Sequence, residues 1–265
     1  MAKYHYAELS WPEIKRAVAE RRVILLPVGT TEQHGPHLPL AVDVLTASTV
    51  CEEAAKRIPE HVLVMPPVWY SFNEHHMDFP GTISIQPQHI IVYITDIGVS
   101  LARHGFRKIV LVNGHGSNVP FLDIVARNIT NQTEAICAMA PWWTLVPQEV
   151  WEEVRQSQFP GGMSHACEAE TSLMLAIRPD LVDMTKAVRD INFPPSQFIW
   201  NDLIRKSPVT FQDRWSRISK TGIIGDPTLA TKEKGQRLLE AAVSALVTFV
   251  LEFKEREIRP YVDHH

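Results

Sequence analysis

The run from Val23 to Val28 is apolar at every position, and it opens directly onto Gly29-Thr30-Thr31-Glu32-Gln33-His34-Gly35-Pro36-His37. A strand without polar alternation is buried on both faces, the property of a parallel sheet covered by helices on each side. The rest of the chain agrees. Strand-like segments are expected at 23–28, 61–65, 108–112 and 135–140. Helices are expected at 11–21, 45–58, 87–104, 119–129, 147–156, 166–177 and 231–256. Alternation of this kind, joined by right-handed crossovers, predicts a doubly wound α/β layer structure, read as one domain over residues 1–265. Residues 190–226, rich in Pro, Trp and Arg and poor in periodicity, read as a long surface excursion touching the site or a neighbouring subunit.

Composition narrows the partners. A net charge of -4 argues against a nucleic-acid or anionic-membrane surface, either of which wants a basic excess. No run reaches the length of a membrane span, and the first residues lack the apolar core of a signal peptide. The cysteines, Cys51, Cys137 and Cys167, are odd in number and without metal-like spacing, so they read as reduced thiols of a cytoplasmic protein.

Three places carry side chains suited to chemistry. Glu32 and His34 are two residues apart just past a strand end, so an extended backbone aims both at one point. A carboxylate and an imidazole aimed together begin a site for zinc, manganese or iron. Asp43 reads either as the N-cap of the following helix or as a carboxylate bridging two ions. In Asn113-Gly114-His115-Gly116-Ser117-Asn118, His115 is uncrowded at a second strand end; a plain tight turn and an anion nest are the rival readings. In His165-Ala166-Cys167-Glu168-Ala169-Glu170, Glu170 shares a helix face with Leu173, Met174 and Ile177. Burying a carboxylate there requires a cation, either a metal or a basic side chain. Glu168 reads as an exposed acid favoured by the helix dipole. His37 reads as supporting or structural, and His75, His76 and Asp78 as lying near the pocket mouth, with an extra ligand among them as the alternative.

Glu32, His34, Asp43, His115 and Glu170 exceed the three or four ligands of a mononuclear zinc site. Two divalent ions sharing Asp43 account for them most economically, and such a pair supplies a hydroxide nucleophile and a Lewis acid at neutral pH. His165 is placed to protonate a leaving nitrogen, which makes His165 and Glu170 the expected catalytic pair.

At these residues the chain resembles the creatininase (creatinine amidohydrolase) family. The resemblance rests on Pro27 through Gly35, Asp43, Phe79-Pro80-Gly81-Thr82, Asn113 through Asn118, and His165 through Ser172, in family order. It implies a three-layer α/β/α sandwich with a mostly parallel central sheet, and two divalent ions on Glu32, His34, Asp43, His115 and Glu170, with Asp43 bridging. It also implies proton transfer by His165, hydrolysis of a carbon–nitrogen bond in a cyclic or linear amide, and assembly as a hexamer. Departures bear on the substrate. Gly116 and Ser117 stand where creatininase proper has a Tyr-Glu pair, Ser164 where it has a glutamate and Gly161 where it has a tryptophan, while Trp143 keeps one aromatic wall. The implied pocket is more open and less acidic than one for creatinine. It looks more like that of members that deformylate pyrimidine nucleotides or trim peptide-derived cofactors. A nucleotide- or anion-binding protein built on the Gly114–Asn118 turn is the non-enzymatic alternative.

Overall fold

The structure, a computed structural model, describes residues 2–194 and 196–265. In chain order it runs α1 (Trp11–Ala19), β1 (Val23–Val28), α2 (Val42–Arg57), β2 (Val62–Val64), α3 (Pro87–Arg103), β3 (Lys108–Asn113), α4 (Val119–Gln132), β4 (Ile136–Pro141), α5 (Trp142–Leu145) and α6 (Gln148–Val154). Then follow β5 (Met163–His165), α7 (Glu168–Ile177), α8 (Trp215–Ile218), β6 (Ile224–Gly225) and α9 (Lys232–Glu255), with short 3-10 turns between elements.

The main sheet has the order β2-β1-β3-β4 and is parallel throughout, with Leu26 opposite Leu111 and Val110 opposite Ala138. Alternate residues of each strand feed two cores. Val23, Leu25, Val110 and Val112 face one core with α2, α5, α6, α7 and α9. Ile24, Leu26, Val28, Ile109 and Leu111 face the other with α1, α3 and α4. The chain thus forms the expected α/β/α sandwich with a parallel sheet at its centre. From β1 the chain goes to β2 on one side and later returns to β3 on the other, so the crevice between the β1 and β3 ends is a topological switch point. Among the described residues no helix is long and apolar enough to cross a membrane.

Several element boundaries differ from the sequence reading, for local reasons. The second helix starts at Val42 after Ala41, not at residue 45, so Asp43 lies in its first turn and is not its N-cap. The helix expected from 166 starts at Glu168, because Ala166 takes a left-handed φ of 51° and Cys167 is extended. The first helix ends at Ala19, two residues before the left-handed Arg21. The antiparallel pair β5–β6 was not anticipated, since its strands are too short to show periodicity and their partners are far apart in the chain.

Helix α9 lies against α7 at a contact that requires glycine. A Cβ on Gly235 would overlap the carbonyl oxygen of Ser172, a backbone atom of α7. Gly235→Ala is therefore expected to lower stability by about 2 kcal/mol through overpacking, even though alanine is the better helix former. Gln236→Ala, on the exposed side of the same turn, should leave the thermal midpoint nearly unchanged. Equal midpoints for both variants would show that the two helices do not meet this closely.

Candidate metal centre

The switch point between β1 and β3 carries the cluster, and two glycines set its geometry. Gly29 ends β1 and Gly114 follows β3, with the Gly114 N–H donating to the Val28 carbonyl at 2.8 Å. A Cβ at either position would run into the backbone of Asp43 or Val44. The first turn of α2 therefore rests directly on the two strand ends, which brings Asp43 between the loop after β1 and the turn after β3. Glu32 and His34 arrive from the first of these and His115 from the second. Glu170, in the first turn of α7, closes the cluster from the other side. Glu32, His34, Asp43, His115, His165 and Glu170 are all buried, none more than 7% exposed.

Asp43 faces two ways. Its Oδ1 lies 3.2 Å from His34 Nε2 and its Oδ2 lies 3.1 Å from His115 Nδ1. Glu32 Oε1 is 3.3 Å from His115 Nδ1, and Glu170 Oε1 is 3.9 Å from His34 Nε2. His165 Nδ1 is 3.6 Å from Glu32 Oε1. The five ligands expected from the sequence thus meet at one place, with His165 beside them.

Hydrogen bonds away from the centre fix the histidine tautomers. His34 Nδ1–H donates to the Glu32 carbonyl (3.2 Å), His115 Nε2–H to the Phe72 carbonyl (3.1 Å) and His165 Nε2–H to the Gln33 carbonyl (2.8 Å). A carbonyl only accepts, so in the neutral ring the other nitrogen of each histidine turns a lone pair toward the carboxylates. This is the arrangement of metal-ligating imidazoles, whose outer N–H is held by a backbone oxygen. The Gln33 amide is fixed as well: Oε1 accepts from the Gly35 N–H, and Nε2 donates to the Gly222 carbonyl and to His76 Nδ1, each at 2.9 Å.

Lone pairs facing carboxylates repel unless a cation lies between them. Glu32 Oε2, His34 Nε2 and Asp43 Oδ2 are buried without a hydrogen-bond partner in the chain, as donor atoms left for a metal would be. Without such an ion the cluster has to hold protons instead. Burial lowers the proton affinity of His34, but Asp43, Glu170 and Glu32 outweigh it and lift its pKa to about 9. Burial raises the Glu170 carboxyl to about 7, against the pull of His34 and with the repulsion of Asp43 and Glu32 added. Burial also raises Glu32. Two imidazoles and three carboxylates so placed fit divalent ions of the zinc and manganese kind.

Other expected residues lie in varied places. His76, expected near the mouth, is instead buried at the centre, with Nε2 at 3.6 Å from Glu32 Oε2. His75 is half-buried, hydrogen-bonded to Ser117 Oγ (3.0 Å) and stacked over His115. Asp78 does lie outside, paired with Arg214. His37 is structural, tied to Thr171 of α7 at 2.9 Å. Ser164 is half-buried in β5 beside His165, and Gly116 is exposed. Trp143 is buried in the core that α5, α7 and α9 share, edge-on to Trp142. Gln33 and Trp215 were not singled out from the sequence. Gln33 lies within the motif, where its position between two candidate ligands was the available signal. Trp215 lies in the aperiodic 190–226 excursion, which does reach the site: its indole packs on His75, His76 and His165.

Comparison with known proteins identifies the family and the fold. The family model "Creatininase: Creatinine amidohydrolase" matches residues 7–250. The chain is 33% identical to the creatinine amidohydrolase of Pseudomonas putida, over 92% of this chain and 95% of that protein. It is 34% identical to the mycofactocin precursor peptide peptidase of Mycolicibacterium smegmatis, over 84% of this chain and 81% of that one. Its structure resembles a crystal structure of creatininase with a TM-score of 0.81 at 31% identity, covering 96% of this chain and 99% of the other. Related creatininase structures are described as a Zn-Zn type and as a Mn form.

Glu168, read from the sequence as an exposed acid, is in fact fully buried. Its carboxylate accepts the N–H groups of Gln156 and Ser157 and pairs with Lys234 of α9, so its role is structural and distinct from that of Glu170. Lys234→Met strands that buried charge and is expected to cost about 3 kcal/mol. The measurement is thermal unfolding together with metal content. A lower midpoint with unchanged metal content is expected; loss of metal at an unchanged midpoint would tie Glu168 to the ion site instead.

Proposed function

The chain belongs to the creatininase family of carbon–nitrogen hydrolases, and we propose that it is a dinuclear metal-dependent amidohydrolase acting on a small cyclic or linear amide. The supporting observation is the geometry of Asp43, whose two oxygens face two imidazoles, each offering a lone pair. In this reading Glu32, His34, Asp43, His115 and Glu170 would hold the ions, with the Asp43 carboxylate available to both. Ions bound there would supply Lewis-acid activation of the amide carbonyl and of water at neutral pH.

The chain's own groups do the rest. Backbone carbonyls hold the three imidazoles in one tautomer, so no reorganisation is needed when substrate arrives. His165 keeps its Nε2 proton on the Gln33 carbonyl, which leaves Nδ1 free to take a proton from the attacking water and pass it to the departing nitrogen. Glu170, its carboxyl raised by burial, completes the catalytic pair. Gly116, Ser117 and Ser164 are assigned to the substrate side. Trp143, buried beside α7, is assigned with them as an aromatic wall.

A second reading, the trimming of a formamide or a peptide-derived substrate, is favoured by one feature. A side chain at Gly116 would meet no atom within 4 Å, which leaves room for a longer substrate beside the cluster.

A screen of metal-loaded enzyme against lactams, imides, ureides, formamides and short peptides, read by amine or carboxylate release, separates the two. Asp43→Ala and His115→Ala are expected to lose bound metal and to lower turnover by more than about 100-fold, beyond what loss of a supporting hydrogen bond to a ligand costs. Normal turnover by either purified variant would refute the assignment.

A further inference from the structure

The candidate centre is closed, and one segment from outside the core lies across it. Trp215 opens α8, within the 190–226 excursion. Its ring centroid stands 4.6 Å from that of His76, 5.3 Å from that of His75 and 5.5 Å from that of His165. Of these, His76 and His165 each approach Glu32 at 3.6 Å, so the indole lies directly over the carboxylate side of the cluster. Trp215 Nε1 is buried and has no hydrogen-bond partner among the described residues. A buried N–H donor without an acceptor is costly, and an arriving acceptor relieves that cost.

The anchorage of this segment is unlike that of the cluster beneath it. Flanking Trp215, Arg214 pairs with Asp78 at 3.1 Å and approaches Glu74 at 3.9 Å, and Ser216 donates to Asp78. All of these are surface contacts exposed to water, the weak class of ion pair and hydrogen bond. The ligand side chains, in contrast, are carried on strand ends and helix starts packed into the two cores. Of the groups around the centre, the strap over residues 213–218 is therefore the one that moves at least cost.

We propose that Trp215 is the roof of the substrate pocket and a specificity-determining residue, on a strap that lifts to admit the substrate and closes the indole over it. The inference rests on the amidohydrolase reading above. It implies a substrate that presents a planar face to the indole ring and a hydrogen-bond acceptor to its N–H, as an amide or imide does. Position 161 could not serve this purpose, because a side chain there would collide with the Phe193 ring.

The probe is acetohydroxamate, a small planar amide analogue that chelates divalent ions, titrated by calorimetry into the manganese-loaded full chain after its metal content is measured. Trp215→Ala is expected to weaken binding about tenfold, the size of one lost hydrogen bond with its packing, and Trp215→Phe by a smaller factor, with metal content unchanged. Asp78→Ala, which frees the strap without touching the cluster, should let EDTA strip manganese several-fold faster. Equal probe affinity for wild type and both Trp215 variants would overturn the inference, and so would an unchanged rate of stripping in Asp78→Ala. Variants that lose manganese along with affinity would mark Trp215 as a structural part of the ion site, which also overturns it. A wild type that takes up no divalent ion sinks the proposed function and this inference with it. A wild type that holds its ions and binds the probe regardless of residue 215 sinks this inference alone.

Discussion

The first turn of α2 rests on the glycine ends of β1 and β3, and the site depends on that contact. Any side chain at Gly29 or Gly114 would push the helix outward and carry Asp43 away from its partners. With the helix seated, a single carboxylate reaches two imidazoles from two different strands. The fold makes this available because the sheet order reverses direction between β1 and β3, which opens a crevice at the strand ends. The rest of the chemistry is arranged around that carboxylate.

Orientation comes from backbone carbonyls more than from side chains. His34, His115 and His165 each spend one ring nitrogen on a carbonyl, and the three carbonyls belong to Glu32, Phe72 and Gln33. Two of these lie in the loop after β1 itself, so the segment that carries Glu32 and His34 also aims the rings of His34 and His165. Gln33 extends the arrangement outward, joining that loop to His76 and to Gly222 near the end of the long excursion. Three segments distant in the chain are in this way held to one another next to the cluster.

The two glutamates of α7 illustrate how position on a helix divides labour. Glu168 and Glu170 are two residues apart, so on a helix they point in different directions. Glu168 turns toward α9 and meets Lys234, with the backbone N–H groups of residues 156 and 157 completing its shell. Glu170 turns toward the cluster, where its neighbours are His34 and two further carboxylates. One buried charge is neutralised by protein and stabilises the packing of helices. The other is left for the site.

By itself the sequence determined the layered parallel sheet, because uniformly apolar strands alternating with amphipathic helices have few other ways to bury their surfaces. It also marked Glu32, His34, Asp43, His115 and Glu170 as candidates, because each stands near a strand end or helix start where chemistry collects in such folds, and the structure brings their side chains together. Tertiary structure alone decided what covers that group. His76 proved to be buried against Glu32, and Trp215 came to lie over the histidines, because long-range packing of loops leaves no periodic trace in the chain. The same holds for the β5–β6 pair and for the partner of Glu168, which is supplied by a helix more than sixty residues further on. Local pattern reports which face of an element is apolar; only the assembled cores report which distant residue that face will meet.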